Sequence, residues 1–143
     1  PTHRMTQPWF FKIYKGKSKD VLCEIIQKID KEKYSAVKIN KFIDKVKSSD
    51  TIISVCMTKD ESNRVPEWEE IAAVSMAVQN MWLSCYVNDI GSYWSTPALK
   101  DDYAKHSGLN SNQKSLGFFF MGSYKHLETP KVREGLDSKV EWV

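Results

Sequence analysis

Two polar clusters stand beside aromatic residues, far apart in the chain. His3 and Gln7 lie in Pro1-Thr2-His3-Arg4-Met5-Thr6-Gln7-Pro8-Trp9, just ahead of a run of strand-forming residues. Tyr93, Trp94, Ser95 and Thr96 lie in Gly91-Ser92-Tyr93-Trp94-Ser95-Thr96-Pro97, behind a long apolar segment that carries Gln79-Asn80. Arg133 sits in an irregular tail. Such a set suits a planar, phosphorylated ring system such as a flavin. Its edges pair with amide and backbone groups, its faces take apolar cover, and its phosphate favours a guanidinium. Each residue also has an ordinary reading. His3 could cap its own loop, Tyr93 and Trp94 could be core aromatics, and Arg133 could be a surface charge.

Other chemistry is poorly supplied. Nucleophilic catalysis needs a nucleophile, a base and an orienting group within reach. The three histidines, His3, His106 and His126, have no Gly-x-Ser-x-Gly elbow or cysteine signature to serve. No His or Cys pair has metal-ligand spacing. Neither a phosphate-cradling Walker loop nor a Gly-x-Gly-x-x-Gly fingerprint occurs. Eleven lysines fall between Lys12 and Lys47, mixed with Asp20, Glu24, Asp30, Glu32 and Asp44. They read as the solvated side of two amphipathic helices, without the interleaved aromatics of a nucleic-acid site.

The elements that must position these residues follow from periodicity. Trp9 to Tyr14 predicts a strand, broken at Gly16. Ser18 opens a helix with a stripe of Val21, Leu22, Ile25, Ile26 and Ile29. A second helix from Ser35 turns Val37, Ile39, Phe42, Ile43 and Val46 inward. Thr51 to Met57 is a short β-branched run and predicts a buried strand. Pro66 followed by Glu67, Glu69 and Glu70 marks the start of the longest helix, to about Asn88. Trp68, Ile71, Val78, Trp82 and Cys85 form one seam, and Ala72, Met76, Leu83 and Tyr86 another. A helix apolar nearly all round predicts burial, here with room for a second subunit against it. Asp89 to Thr96 reads as a loop, Pro97 to Lys105 as a short helix, and Leu116 to Gly122 as a central strand. Taken with its long helices, the order βααβαβ gives an α+β or α/β sandwich.

With 143 residues the chain predicts one domain, 1–143. A formal charge of +3 is too mild to demand nucleic acid or an anionic membrane. Cys23, Cys56 and Cys85 are an odd, widely spaced set, which argues against a disulfide framework and for a reducing compartment, the cytoplasm. No apolar run approaches the ~20 residues of a membrane span.

The quoted segments together resemble the nitroreductase family. Pro1 to Trp9 resembles its small-residue-or-His, Gln, Pro-Trp loop. Trp68 to Trp94 is similar to its long central helix and the glycine-containing loop after it. Gly117 to Gly122 resembles its last core strand, and Val132-Arg133-Glu134-Gly135-Leu136-Asp137 its phosphate-reaching tail. The resemblance implies a nitroreductase-like α/β sandwich, with a mostly antiparallel sheet flanked by helices and a long buried helix at a dimer interface. It implies FMN bound by Thr2, His3, Gln7, Tyr93, Trp94, Ser95, Thr96 and Arg133, with no catalytic side chain and no metal. It implies NAD(P)H as reductant, a nitroaromatic, quinone or similar oxidised small molecule as substrate, ping-pong kinetics and a homodimer. The family's first helix, with an Arg-Arg-Ser-like phosphate motif, has no counterpart here, so the expected domain is truncated at its N-terminus. Pro97 stands where the family often has glycine, as in its dehalogenase-like branch. The alternatives are a reductive dehalogenase-like enzyme and a non-catalytic dimeric binding domain.

Overall fold

The structure, a computed structural model, describes residues 1–30, 32–125 and 133–143. Among the described residues, β1 (Trp9–Lys15), β2 (Thr51–Thr58), β3 (Gly91–Ser95) and β4 (Gln113–Gly122) form one antiparallel sheet. Its order is β1-β2-β4-β3, so β1 and β3 are the two edges. The connecting helices are α1 (Ser18–Gln27), α2 (Ala36–Ser48), α3 (Glu67–Val87) and α4 (Lys100–His106). None of the described helices is long and apolar enough to cross a membrane.

The sheet is covered on both faces, which explains why its central strands are apolar at successive positions. Period-two alternation sends Ile52, Phe118 and Phe120 to one face and Ile53, Val55 and Phe119 to the other. On the first face they meet Leu22 and Ile26 of α1, Phe42 and Val46 of α2, and Tyr103 of α4. Phe42 sits edge-on to Phe118 with ring centres 4.9 Å apart. On the second face they meet Val74, Val78 and Cys85 of α3. All three cysteines are buried and free.

The helix stripes are close to those the periodicity predicts. Ile39, Phe42, Ile43 and Val46 of α2 are buried as expected. Val21 and Val37 are exposed instead, and Cys23 joins the core. Each valine lies on the shoulder of its stripe, where the narrow contact with the sheet does not reach.

Three boundaries differ. The segment read as a loop from Asp89 to Thr96 contains strand β3, which pairs with β4 from Gly91↔Gly122 to Ser95↔Phe118. A five-residue strand with glycine and serine carries no alternation of its own, and its pairing partner is distant in sequence. The full element order is therefore βααβαβαβ. The helix expected from Pro97 begins at Lys100, because Pro97 opens a turn closed by Lys100 N–H donating to Pro97 O at 3.0 Å. The last strand starts at Gln113 rather than Leu116, since its polar first residues pair with Thr58 and Met57.

Within one chain α3 is not buried all round. Its inward stripe is Glu70, Ala73, Val74, Val78 and Cys85. Trp68, Leu83, Tyr86 and Val87 are more than half exposed, and Met76 and Trp82 are 38% exposed. The outer seam that the sequence marks as apolar faces outward. At the end of the chain Trp142 is 94% exposed. The expected tail motif begins at Val132, which lies outside the described residues, as do His126 and Pro130.

A bulge fixes the end of β3. The register of β2 on β4 shifts between Val55 and Cys56, so that Val55 faces Gly117 and Cys56 faces Ser115. Gly117 has φ +116°, and a Cβ there would lie 2.4 Å from Ser95 O. Only glycine fits this backbone and this approach. Beside it, the Trp94 indole N–H donates to Leu116 O at 3.1 Å.

Candidate active site at the free edge of the sheet

An open cleft of about 880 Å³ lies where α3, the start of β3 and the end of β4 converge. Gln79, Trp82 and Tyr86 come from α3, one helical turn apart along the same side. Gly91, Ser92 and Tyr93 come from β3, and Met121 to Tyr124 from the end of β4 and the turn after it. Ser48 and Ser49 close it at the end of α2, and Arg133 enters from the tail. The lining thus combines aromatic surface, one amide, several hydroxyls and one guanidinium.

Tyr93 is the aromatic anchor. Its ring stacks on Phe120 at 5.1 Å with 13° between planes, and Lys45 Nζ stands 6.0 Å from its centre. Partial burial pushes its hydroxyl above the ordinary tyrosine value. Asp50 stiffens the rim by accepting Ser123 N–H on Oδ2 at 3.1 Å. Tyr124 donates its hydroxyl to Asp89 at 3.1 Å, and a Cβ on Gly91 would fall 2.8 Å from Tyr124 Cβ. Glycine at 91 therefore lets the turn after β4 close over the start of β3.

The residues singled out in the sequence divide into five places. Tyr93 and Arg133 line the cleft. Trp94 points to the opposite face, packed against the α3 core and bonded to Leu116. Ser95 lines a smaller hollow with Lys38, Lys41 and Lys45 of α2, and Thr96 is exposed. Thr2, His3 and Gln7 lie ahead of β1, at the far edge of the sheet. Three strand spacings, roughly 14 Å, separate the two edges. One chain does not bring the two halves of the set together.

The first loop is nonetheless built with care. His3 Nδ1 meets Glu69 Oε2 at 2.5 Å, tying the loop to the first turn of α3. Thr2 Oγ1 accepts Gln7 N–H at 3.1 Å and contacts Thr6 Oγ1 at 3.1 Å. Arg4, Met5 and Gln7 all have positive φ, an unfavourable backbone for side chains of this size. Strain held this way concentrates at functional segments. Next to it, the buried Glu70 accepts Asp60 N–H on Oε1 at 2.8 Å, while Oε2 is buried without a partner among the described residues.

Sequence reasoning passed over Gln79 and Tyr86 as cleft residues and assigned Trp82 to the core. The signal was present in the i, i+3, i+7 spacing of Gln79, Trp82 and Tyr86. It could not be separated from a packing seam without knowing which side of α3 met the sheet.

The fold is an antiparallel sheet with helices on both faces and an open, aromatic-lined cleft at one edge. The match to the nitroreductase family model runs over residues 1–123, and the chain belongs to that family. It is 25% identical over 129 residues to YdjA of Escherichia coli strain K12, whose name marks it as a candidate NAD(P)H nitroreductase; the alignment covers 86% of this chain and 69% of the relative. A nitroreductase-like protein from Bacillus cereus superposes with a TM-score of 0.88 at 23% identity, covering 100% of this chain and 77% of that one. The FMN-dependent nitroreductase NfnB from Mycobacterium smegmatis, solved in complex with NADPH, superposes with a TM-score of 0.72 at 13% identity, covering 100% and 82%. The four-stranded antiparallel sheet and its two helical layers are the α+β sandwich of this family.

Proposed function

We propose that this chain is an FMN-dependent NAD(P)H oxidoreductase that acts as a homodimer on small oxidised molecules. The residues of the cleft fit the cofactor. Tyr93 and Trp82 offer aromatic cover, Gln79 an amide, Ser92 a hydroxyl and Arg133 a planar cation for phosphate. The volume of about 880 Å³ lies in the range of ligand pockets. When bound, FMN would take a hydride at N5 from NAD(P)H and pass it to a nitroaromatic, a quinone or a similar acceptor. Among the described residues no cysteine or histidine lines the cleft, so those residues are suited to holding and orienting rather than attacking.

The single observation that carries the reading is the division of the candidate set between opposite edges of the sheet. Thr2, His3 and Gln7 belong to one edge, and Tyr93 and Arg133 to the other. A second copy laid against the outer seam of α3 would bury Leu83, Tyr86 and Val87 and bring its own first loop to this chain's cleft. Such a dimer explains a helix that is apolar on both sides. The three free, buried thiols suit a reducing cytoplasm.

The test is an absorption spectrum of the purified protein before and after anaerobic NAD(P)H. Flavin bands that bleach on addition, with parallel double-reciprocal lines in steady-state kinetics, are expected. A colourless protein that takes up no added FMN would sink the proposal.

A further inference from the structure

Beside the cleft, on the same side of β3, lies a hollow of about 220 Å³ floored by Phe42, Pro97 and Leu99. Lys38, Lys41 and Lys45 stand on its rim, at i, i+3 and i+7 on one side of α2, and Ser95 adds a hydroxyl from β3. Among the described residues none of the three lysines has an acidic partner. The nearby carboxylate of Asp102 is already occupied, by Lys33 at 2.5 Å, Lys105 at 2.7 Å and the Tyr34 hydroxyl at 2.8 Å. Three like charges along about two turns of helix repel one another unless an anion sits between them. Lys45 also reaches over Tyr93. Arg133, Lys45, Lys41 and Lys38 thus line the path from the cleft into the hollow along the edge strand.

We infer that this hollow binds a nucleoside diphosphate, the adenosine-phosphate half of the nicotinamide dinucleotide, with its phosphates on Lys38, Lys41 and Lys45 and its base on the apolar floor. The apolar floor, where the core cluster of Phe42 and Leu99 reaches the surface beside Pro97, and the basic rim match the two ends of that group. The inference rests on the reading of the cleft as the place where the dinucleotide delivers its hydride.

The experiment is equilibrium dialysis of ADP against the whole protein, with and without added FMN, followed by displacement with NADPH. It is repeated with Lys38→Glu/Lys41→Glu and with Lys47→Glu, a charge change on the opposite side of α2. ADP that binds, is displaced by NADPH, and is held about tenfold more weakly only in the double variant is the expected result. In turnover the double variant raises KM for NADPH by a similar factor and leaves kcat in place. ADP that does not bind, that NADPH does not displace, or that responds equally to Lys47→Glu overturns the inference. Because the binding needs no flavin, a protein that holds ADP but never FMN would overturn the proposed function alone.

Discussion

Trp94 Nε1 donates to Leu116 O at 3.1 Å, directly across from the point where Gly117 brings its Cα against Ser95 O. The bulge in β4 leaves the Leu116 carbonyl outside the regular ladder, and the indole takes it up. Trp94 therefore turns toward the α3 core, and its neighbours Tyr93 and Ser95 must turn to the other side. One side-chain bond sets which aromatic residue reaches the cleft.

That joint is open to measurement. Trp94→Phe leaves the Leu116 carbonyl unpaired and is expected to cost about 1–3 kcal/mol in urea denaturation. Gly117→Ala forces a Cβ into positive φ and against backbone, so a loss of about 3 kcal/mol or more is expected. Both act on one junction, so the double variant should lose less than the two losses added. Simple additivity would show that the two residues are not a unit.

Arg133→Ala removes the one guanidinium of the cleft. The proposed phosphate contact is a charged hydrogen bond worth ~1.5–3 kcal/mol, so FMN should dissociate about ten- to a hundredfold more readily. Flavin fluorescence on dilution reads this directly. Unchanged retention would mean that the tail has another task.

Leu83→Glu places a charge in the middle of the exposed seam of α3, where Leu83 is 53% exposed. In a monomer such a surface change is nearly neutral. In the proposed dimer it buries an unpaired charge, so sedimentation should show half the wild-type mass. An unaltered dimer mass would move the interface elsewhere.

Alkaline stability should depend on Tyr14 and Tyr103, whose hydroxyls meet at 2.8 Å in the core. Burial, first of all, raises both above the ordinary value of 10.0. The folded chain then keeps protons that the unfolded chain gives up. Their contribution is intact below about pH 10 and falls as pH rises beyond it, by about 1.4 kcal/mol per pH unit for each group. Tyr14→Phe should flatten the decline of stability measured between pH 10 and 11. An equally steep decline in that variant would contradict the assignment.

The acid side has its own reporter. Lys105, then Lys33 and the Tyr34 hydroxyl, hold the Asp102 carboxyl well below the usual carboxylate range. A depressed carboxyl stabilises the fold above its unfolded value of 3.8, and the contribution is lost as pH falls below that. Asp102→Asn should therefore lower stability at neutral pH and weaken its dependence on pH below 4. Thermal unfolding across that range decides the point.

The long elements and the family are legible in the order of residues alone. Side chains repeating at 3.6 residues mark α1, α2 and α3, and continuous apolar runs mark β2 and β4, because those patterns arise from local geometry. The ordered loops around Pro8-Trp9 and Tyr93-Trp94 carry the family resemblance without reference to any contact. The rest depends on contacts between segments distant in sequence. β3 exists because β4 offers it a partner, and its five residues carry no period of their own. Which side of α3 meets the sheet is settled by packing, since both sides are apolar, and that choice sends Gln79, Trp82, Leu83 and Tyr86 to the cleft. The parting of Thr2, His3 and Gln7 from Tyr93 and Arg133 follows from strand order, which no local signal encodes.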